Sequence, residues 1–261
     1  MFKKVTCLTL VFIVASTIYS QQSNSYHSKW QVKPSAGYYF PVSKLLNGEA
    51  TDYLIGYDDK TIYWQLLSVS YFFNKHWGLE FNFQAGSSRN IPARAGRFIE
   101  SMEKEFGQTH YVEPSTGASF NSFSFIGGHV ERGFLGLLYR VESPRFFLYP
   151  KFSIGVTSFY TDWGKAYLKE KNSHRVTEVL YASGRKPNDQ FTLAPSVAAG
   201  YKISKRIYFS LDLLSTFFRT TLVFNKSIRD MDTGQQSLEV ISYSKNIVSV
   251  GAGLGLIVVI K

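Results

Sequence analysis

Apolar and polar residues alternate one for one over long runs of this chain, and that period constrains the fold more than any other feature. Successive side chains of an extended strand point to opposite faces, so a period of two means strands with two unlike faces. In the clearest run, Trp77, Leu79, Phe81, Phe83 and Ala85 share one face, and Gly78, Glu80, Asn82, Gln84 and Gly86 share the other. The same pattern runs through 30–40, 145–160, 191–202 and 248–260, and less regularly through 60–73, 120–141 and 206–224. This predicts eight strands and an all-β chain.

Alternation does not by itself say which face is inside. A soluble barrel would turn its apolar face inward. Here the polar faces are rich in small residues, as in Ser249, Gly251, Gly253 and Gly255 opposite Val250, Ala252, Leu254 and Leu256. Small residues suit the crowded interior of a narrow barrel. The apolar faces run for about six alternating positions, the length of a strand of about 9–11 residues crossing a hydrocarbon layer. Together these predict a transmembrane antiparallel up-and-down β-barrel with its apolar face outward, and eight is an even number, as such barrels have.

The connections agree. Asn74-Lys75-His76, Glu142-Ser143-Pro144 and Ser204-Lys205 are tight, whereas 41–59, 87–119, 161–189 and 225–237 are long. Short turns at one end and long loops at the other describe a meander whose short turns face the periplasm. No segment after residue 20 offers 18 consecutive apolar residues. The nearest, 247–260, carries three Gly and alternates.

The N-terminus predicts a signal peptide over 1–20, with Lys3 and Lys4 before the apolar run 5–15 and Ser20 at an acceptable cleavage position. A short periplasmic segment, 21–28, would follow, and the barrel domain would span 29–261. Cys7, the one cysteine, falls in the leader, so the mature chain would have no thiol chemistry. Lys3 and Lys4 are two of the 29 basic residues; without them 27 face 19 acidic ones, a net +8. A secreted basic chain meets phosphorylated lipid head groups before it meets nucleic acid.

Residues 29–261 resemble the small outer-membrane β-barrel domain proteins abundant in the Bacteroidota. The resemblance rests on the alternating strands, the short–long loop rhythm and Gly-rich strands such as Val250-Gly251-Ala252-Gly253-Leu254-Gly255-Leu256. It departs at the end, where Val259-Ile260-Lys261 stands in place of the usual terminal aromatic. The resemblance implies the cell outer membrane, with its lipid, lipopolysaccharide and the barrel-insertion machinery as partners.

An eight-stranded barrel is just wide enough to be filled by its own side chains. Lys33, Glu80, Arg140, Lys151, Lys202 and Asp212 lie on the polar faces and are expected to pair across the lumen, because a charge in a narrow interior is costly unless matched. A short helix is expected near 93–106, with Pro92 near its start and Gly107 past its end. Phe98, Met102 and Phe106 would share a face, either packed on the loop itself or offered to a protein partner at 87–119. The third long loop is basic, and Arg175, Arg185 and Lys186 are candidates for contact with lipopolysaccharide phosphates. Trp30, Tyr71, Trp77, Tyr139 and Tyr201 near the tight turns, with Tyr38, Tyr160 and Trp163 opposite, are candidate interfacial girdles.

Enzyme chemistry finds little support. No Gly-x-Ser-x-Gly elbow follows a strand, and no His or Cys cluster has zinc spacing. His129 with Glu131 on one strand face is the single base–orienter candidate, and it reads better as a strand end. The expectation is no catalytic residue, no metal and no cofactor. Three functions remain: a structural or interaction barrel acting through its loops, a narrow conduit for small molecules, and, least supported, a lipid-modifying enzyme.

Overall fold

The computed structural model describes residues 29–43, 50–54, 61–88, 91–114, 129–159, 163–183 and 188–260. The signal-peptide expectation at 1–20 and the segment 21–28 lie outside them. Thirteen strands are described: β1 (Trp30–Val32), β2 (Ser35–Pro41), β3 (Thr61–Phe72), β4 (Trp77–Ser88), β5 (His110–Pro114), β6 (His129–Tyr139), β7 (Val141–Glu142), β8 (Phe146–Phe159), β9 (Gly164–Glu170), β10 (Val176–Ser183), β11 (Asn188–Lys202), β12 (Ile207–Asp230) and β13 (Gln236–Ile260). A 3-10 helix, Ala50–Leu54, and one α-helix, α1 (Ile91–Phe106), lie between strands.

Eight of these units close a ring. β3 pairs with β4, β4 with β6, β6 with β8, β8 with β11, β11 with β12 and β12 with β13, all antiparallel. β13 then returns to β1 and β2, which both pair with β3. β1 and β2 are one ring strand interrupted at Pro34, which has no N–H to give to a ladder. β7 carries the β6 register on along β8, from Leu138↔Lys151 to Val141↔Leu148.

The ring turns its apolar face outward. Along β12, Ile207, Phe209, Leu211 and Leu213 are exposed, and Tyr208, Ser210 and Asp212 are buried. Along β13, Leu254 is 54% exposed, whereas Ser210 on the inward face of the neighbouring strand is fully buried. An antiparallel ring leaves no unpaired backbone edge, and an apolar exterior has only a bilayer to face, so this is a membrane-spanning barrel. The apolar stripe of β12 runs from Ile207 to Phe217. At about 3.3 Å per residue and a tilt near 45° it makes a band roughly 25 Å tall.

The inward face is small where the opposite wall is large. Tyr63 is completely buried. A Cβ on Gly253 would overlap its hydroxyl, and one on Gly37 would sit 2.8 Å from its ring. These two glycines give Tyr63 the space to cross the lumen.

At the turn end, aromatic residues ring the barrel outside. Trp30 lies against Tyr71 (4.7 Å between centroids), Trp77 against Tyr139 (4.9 Å) and Phe146 against Tyr201 (5.5 Å). Inside that end, Phe72, Leu138, Phe147, Tyr149, Tyr208, Ile257 and Val259 form an apolar floor.

The loop end differs from the sequence expectation. The segment 225–237 is not a long loop. β12 runs for 24 residues and β13 for 25, so the hairpin continues well past the membrane and reverses only at 231–235. The segment 161–189 contains a second hairpin, β9–β10, and β5 adds to it, giving the strand order β5, β9, β10, β12, β13 above the ring. The same parity stays buried beyond Phe217, but the inward face becomes largely apolar: Phe218, Leu222 and Phe224 are buried with Thr220 among them, and Arg219 and Thr221 are exposed beside Val223. A reading that equates apolar with outward loses the strand at that point.

The inward side of this upper sheet is an apolar core. Phe98 and Met102 of α1 are fully buried against Leu54, Val130, Phe159, Ala166, Leu168, Val179, Tyr181, Leu222 and Phe224, with Phe106 packed at the edge. The two hairpin tips use the same turn. The carbonyls of Glu170 and Asp230 each accept from the residue four further on, His174 N–H at 3.1 Å and Gly234 N–H at 2.9 Å. Both donors take positive φ, 61° and 74°. Glycine occupies that region without strain, and histidine meets a steric penalty there.

Candidate functional site

The chemistry of the described residues gathers in the lumen, in three tiers that begin at the level of the floor and end below the upper core. In the lowest, Lys202 donates to Glu142 at 2.6 Å, Tyr149 donates to the same carboxylate, and Gln31 donates to the Tyr149 hydroxyl at 3.2 Å. The middle tier holds two ion pairs, Lys33 with Asp212 at 3.0 Å and Lys151 with Glu80. Ser70 donates to the second oxygen of Glu80 at 3.2 Å. In the upper tier, Asn82 and Gln84 donate to Gln65 at 2.7 and 3.2 Å, and Tyr39 donates to Gln84 at 2.7 Å. Arg132, 1% exposed, lays its guanidinium 4.0 Å over the Tyr39 ring.

Strand parity explains the assembly. Gln31 and Lys33 lie on one face of the first ring strand, Glu80, Asn82 and Gln84 on one face of β4, and Asp212 on the inward face of β12. Each strand delivers its polar side to the same axis. A buried ion pair is weak evidence for stability, because desolvation offsets attraction. Matched pairs do make the lumen electrostatically tolerable, and their lateral hydrogen bonds hold each partner in place.

Of the six lumen residues expected from sequence, five enter this network: Lys33, Glu80, Lys151, Lys202 and Asp212. Arg140 does not. It sits at the turn end, where its Nε donates to the Lys75 carbonyl at 3.0 Å and its guanidinium lies 3.7 Å over the Phe72 ring. Sequence reasoning missed Glu142, the partner of Lys202, by assigning it to a turn. Its parity with Arg140 marks it as inward. Arg132 was also missed, one residue from Glu131, which is exposed on the outside of the ring. Around Lys33, Gln65, Glu80 and Lys151 the network lines a cavity of about 40 Å³, room for a few waters at about 10–15 Å³ each.

Above the lumen, Lys226 ties α1 to the sheet. It donates to Glu105 at 2.8 Å and lies 5.4 Å from the Phe106 ring and 5.5 Å from the Tyr181 ring. Burial alone would lower the Lys226 pKa; the bonds to Glu105 and Tyr181 outweigh it and hold it above its usual value. The Tyr181 hydroxyl is pushed up, first by burial and then by the nearby Glu105 charge. Of the candidate anion contacts, Arg175 is exposed at the β9–β10 tip beside Asp230, and Arg185 and Lys186 lie outside the described residues. No group of three or more potential metal ligands occurs among the described residues.

A closed antiparallel ring with a lipid-facing exterior and long connections at one end defines an outer-membrane β-barrel protein. The chain is similar to Neisserial surface protein A (9% identity, TM-score 0.46, 88% of this chain and 97% of that one). It is also similar to a major outer membrane protein from Thermus thermophilus (11%, 0.42, 88% and 98%) and to outer membrane protein AlkL in DMPC lipid bilayers (14%, 0.38, 92% and 94%). No protein-family model matches the chain, and no curated protein matches it.

Proposed function

We propose that the chain is an interaction barrel of a Gram-negative outer membrane, of the Bacteroidota barrel-domain type, with a plugged lumen and a working surface above the membrane. The observation that carries this reading is the stack of three ion pairs across the lumen, Lys202–Glu142, Lys33–Asp212 and Lys151–Glu80. Lys202–Glu142 sits at the level of the apolar floor at Phe147 and Tyr208, and the other two pairs lie between that floor and the apolar core under α1. A solute crossing this path would have to break charge pairs and then an apolar seal. The lumen network acts as a structural plug, and His129 with Glu131 has no role in chemistry.

The surface above the membrane is then where partners meet the protein. The apolar side of α1 is consumed by packing of Phe98 and Met102, so a protein partner at 87–119 would meet its exposed side, with Glu103 and Lys104. Arg175, Arg185 and Lys186 would offer cations to lipopolysaccharide, and the insertion machinery would read the barrel during assembly. Conductance in planar bilayers tests the reading. The wild-type protein should give no steady channel at neutral pH. A stable open conductance of porin size would favour the conduit instead.

A further inference from the structure

Resting on the outer-membrane reading, we infer that Arg219 is a docking site for the phosphate of a lipid head group in the outer leaflet. On the outer face of β12, Phe209, Leu211, Leu213 and Phe217 are exposed and apolar, and the next outward residue is Arg219, also exposed. The register places Asn246 of β13 beside it, and Phe191 of β11 flanks it on the other side, one position beyond the Thr192↔Phe218 pair. Phe191 is 65% exposed, an aromatic at the edge of the band. One row higher, Thr221 and Ser244 are hydrogen-bonded at 2.6 Å. Arg219 is therefore the cation that closes the lipid-facing stripe, with the polar Thr221–Ser244 row directly above it. Head-group phosphates lie at that height, and a guanidinium grips them with two parallel N–H bonds.

Several cations of the upper sheet are engaged or too far away, and Lys245, opposite Thr220, lies on the inward parity of β13. Lys165 pairs with Glu178, Lys171 donates to the Gly107 carbonyl at 2.7 Å, and Lys226 pairs with Glu105. Arg229 lies ten residues further along β12, about 33 Å at about 3.3 Å per residue. Arg175 is beside the tip that follows it. Among the described residues no carboxylate forms an ion pair with Arg219. Asp189, near the start of the neighbouring β11, accepts instead from Ser158. Asn246, the register partner of Arg219 on β13, offers an amide donor for the same phosphate.

The full-length mature protein, refolded into nanodiscs of a phosphate-free galactolipid, tests this. Binding of fluorescent lipid A is measured for wild type, Arg219→Gln, Arg219→Lys and Arg229→Gln, with heat-modifiable gel mobility to confirm folding. Arg219→Gln should weaken binding at least about fivefold, Arg219→Lys should weaken it less, and Arg229→Gln should match wild type. Dephosphorylated lipid A should bind wild type as weakly as phosphorylated lipid A binds Arg219→Gln. Equal affinity of wild type and Arg219→Gln overturns the inference, as does indifference to the phosphate. Displacement by millimolar inorganic phosphate would mark a free-anion site and overturn the lipid assignment. A wild-type protein that never enters the bilayer would instead refute the outer-membrane reading on which the inference rests.

Discussion

The two halves of the β12–β13 hairpin bury opposite things. Within the ring, Ser210, Asp212 and Thr216 face inward, and Phe209, Leu211 and Leu213 face out. Beyond Phe217, the same strand turns Phe218, Leu222 and Phe224 inward with Thr220, and Arg219, Thr221 and Asn225 out with Val223. The backbone is continuous, with unbroken pairing from Ile207↔Val258 to Arg229↔Gln236. Only the solvent changes. Lipid tails cannot hydrogen-bond, so in the membrane polar groups must find partners inside. Water can, so above the membrane burial of apolar area again stabilises the interior. One hairpin thus carries an inside-out core below and an ordinary core above, and the crossover marks the membrane surface.

The comparison can be broken most forcefully in the lower half. Asp212→Leu should destabilise the barrel by about 3–5 kcal/mol, because it leaves the Lys33 ammonium buried without its carboxylate. The double variant Lys33→Met/Asp212→Leu should recover most of that loss. Urea unfolding in detergent micelles reads both, and a double variant no better than the single would show that the pair is not the relevant unit. Next in size is a charge on the outer face. Leu211→Arg should cost about 2–4 kcal/mol at mid-membrane, whereas Val223→Arg, on the same face of β12 above the crossover, should fall within about 0.5 kcal/mol of wild type. Equal costs at the two sites would misplace the membrane surface.

Smaller effects sharpen the upper half. Lys226→Met should loosen α1 by about 1 kcal/mol, a modest figure because Glu105 is 44% exposed. Hydrogen exchange in α1 should speed up while exchange in β4 and β8 stays unchanged. Since the Lys226 pKa is raised, its contribution is complete below the ordinary lysine value of 10.5 and is lost as pH climbs through the raised value. Alkaline pH should therefore release α1 before the ring. The smallest effect is at the tip. Backbone N–H groups of Thr233 and Asp232 donate to Asp230 and hold its carboxyl below the ordinary value of 3.8. That contribution is present above 3.8 and fades as pH falls through the lowered value. The Asp232 and Thr233 amide shifts should titrate with a midpoint below 3.8, and a midpoint at or above it would refute the turn geometry.

Much of the ring was legible in the chain itself. Trp77 through Gly86 announces a strand with one greasy and one polar side, and the tight turns near 75, 143 and 204 set the meander. Glu80, Lys151, Lys202 and Asp212 could be named as inward because parity carries along an uninterrupted strand, and Lys33 because the parity survives the break at Pro34. Glu142 and the upper half of β12 were missed for a common reason. Both lie where a local rule changes, at a strand end in one case and at a change of solvent in the other.

The sequence by itself determined that strands form, how many close the ring and which side of each meets lipid, because period two and side-chain polarity are properties of neighbours along the chain. Only the tertiary structure decided that Lys33 meets Asp212 from 179 positions away, that Phe98 and Met102 of the loop helix pack into an internal core, and that Arg140 stays at the floor. Those outcomes depend on which strands come to face one another around a closed ring. Closure is a long-range event, and no local pattern records it.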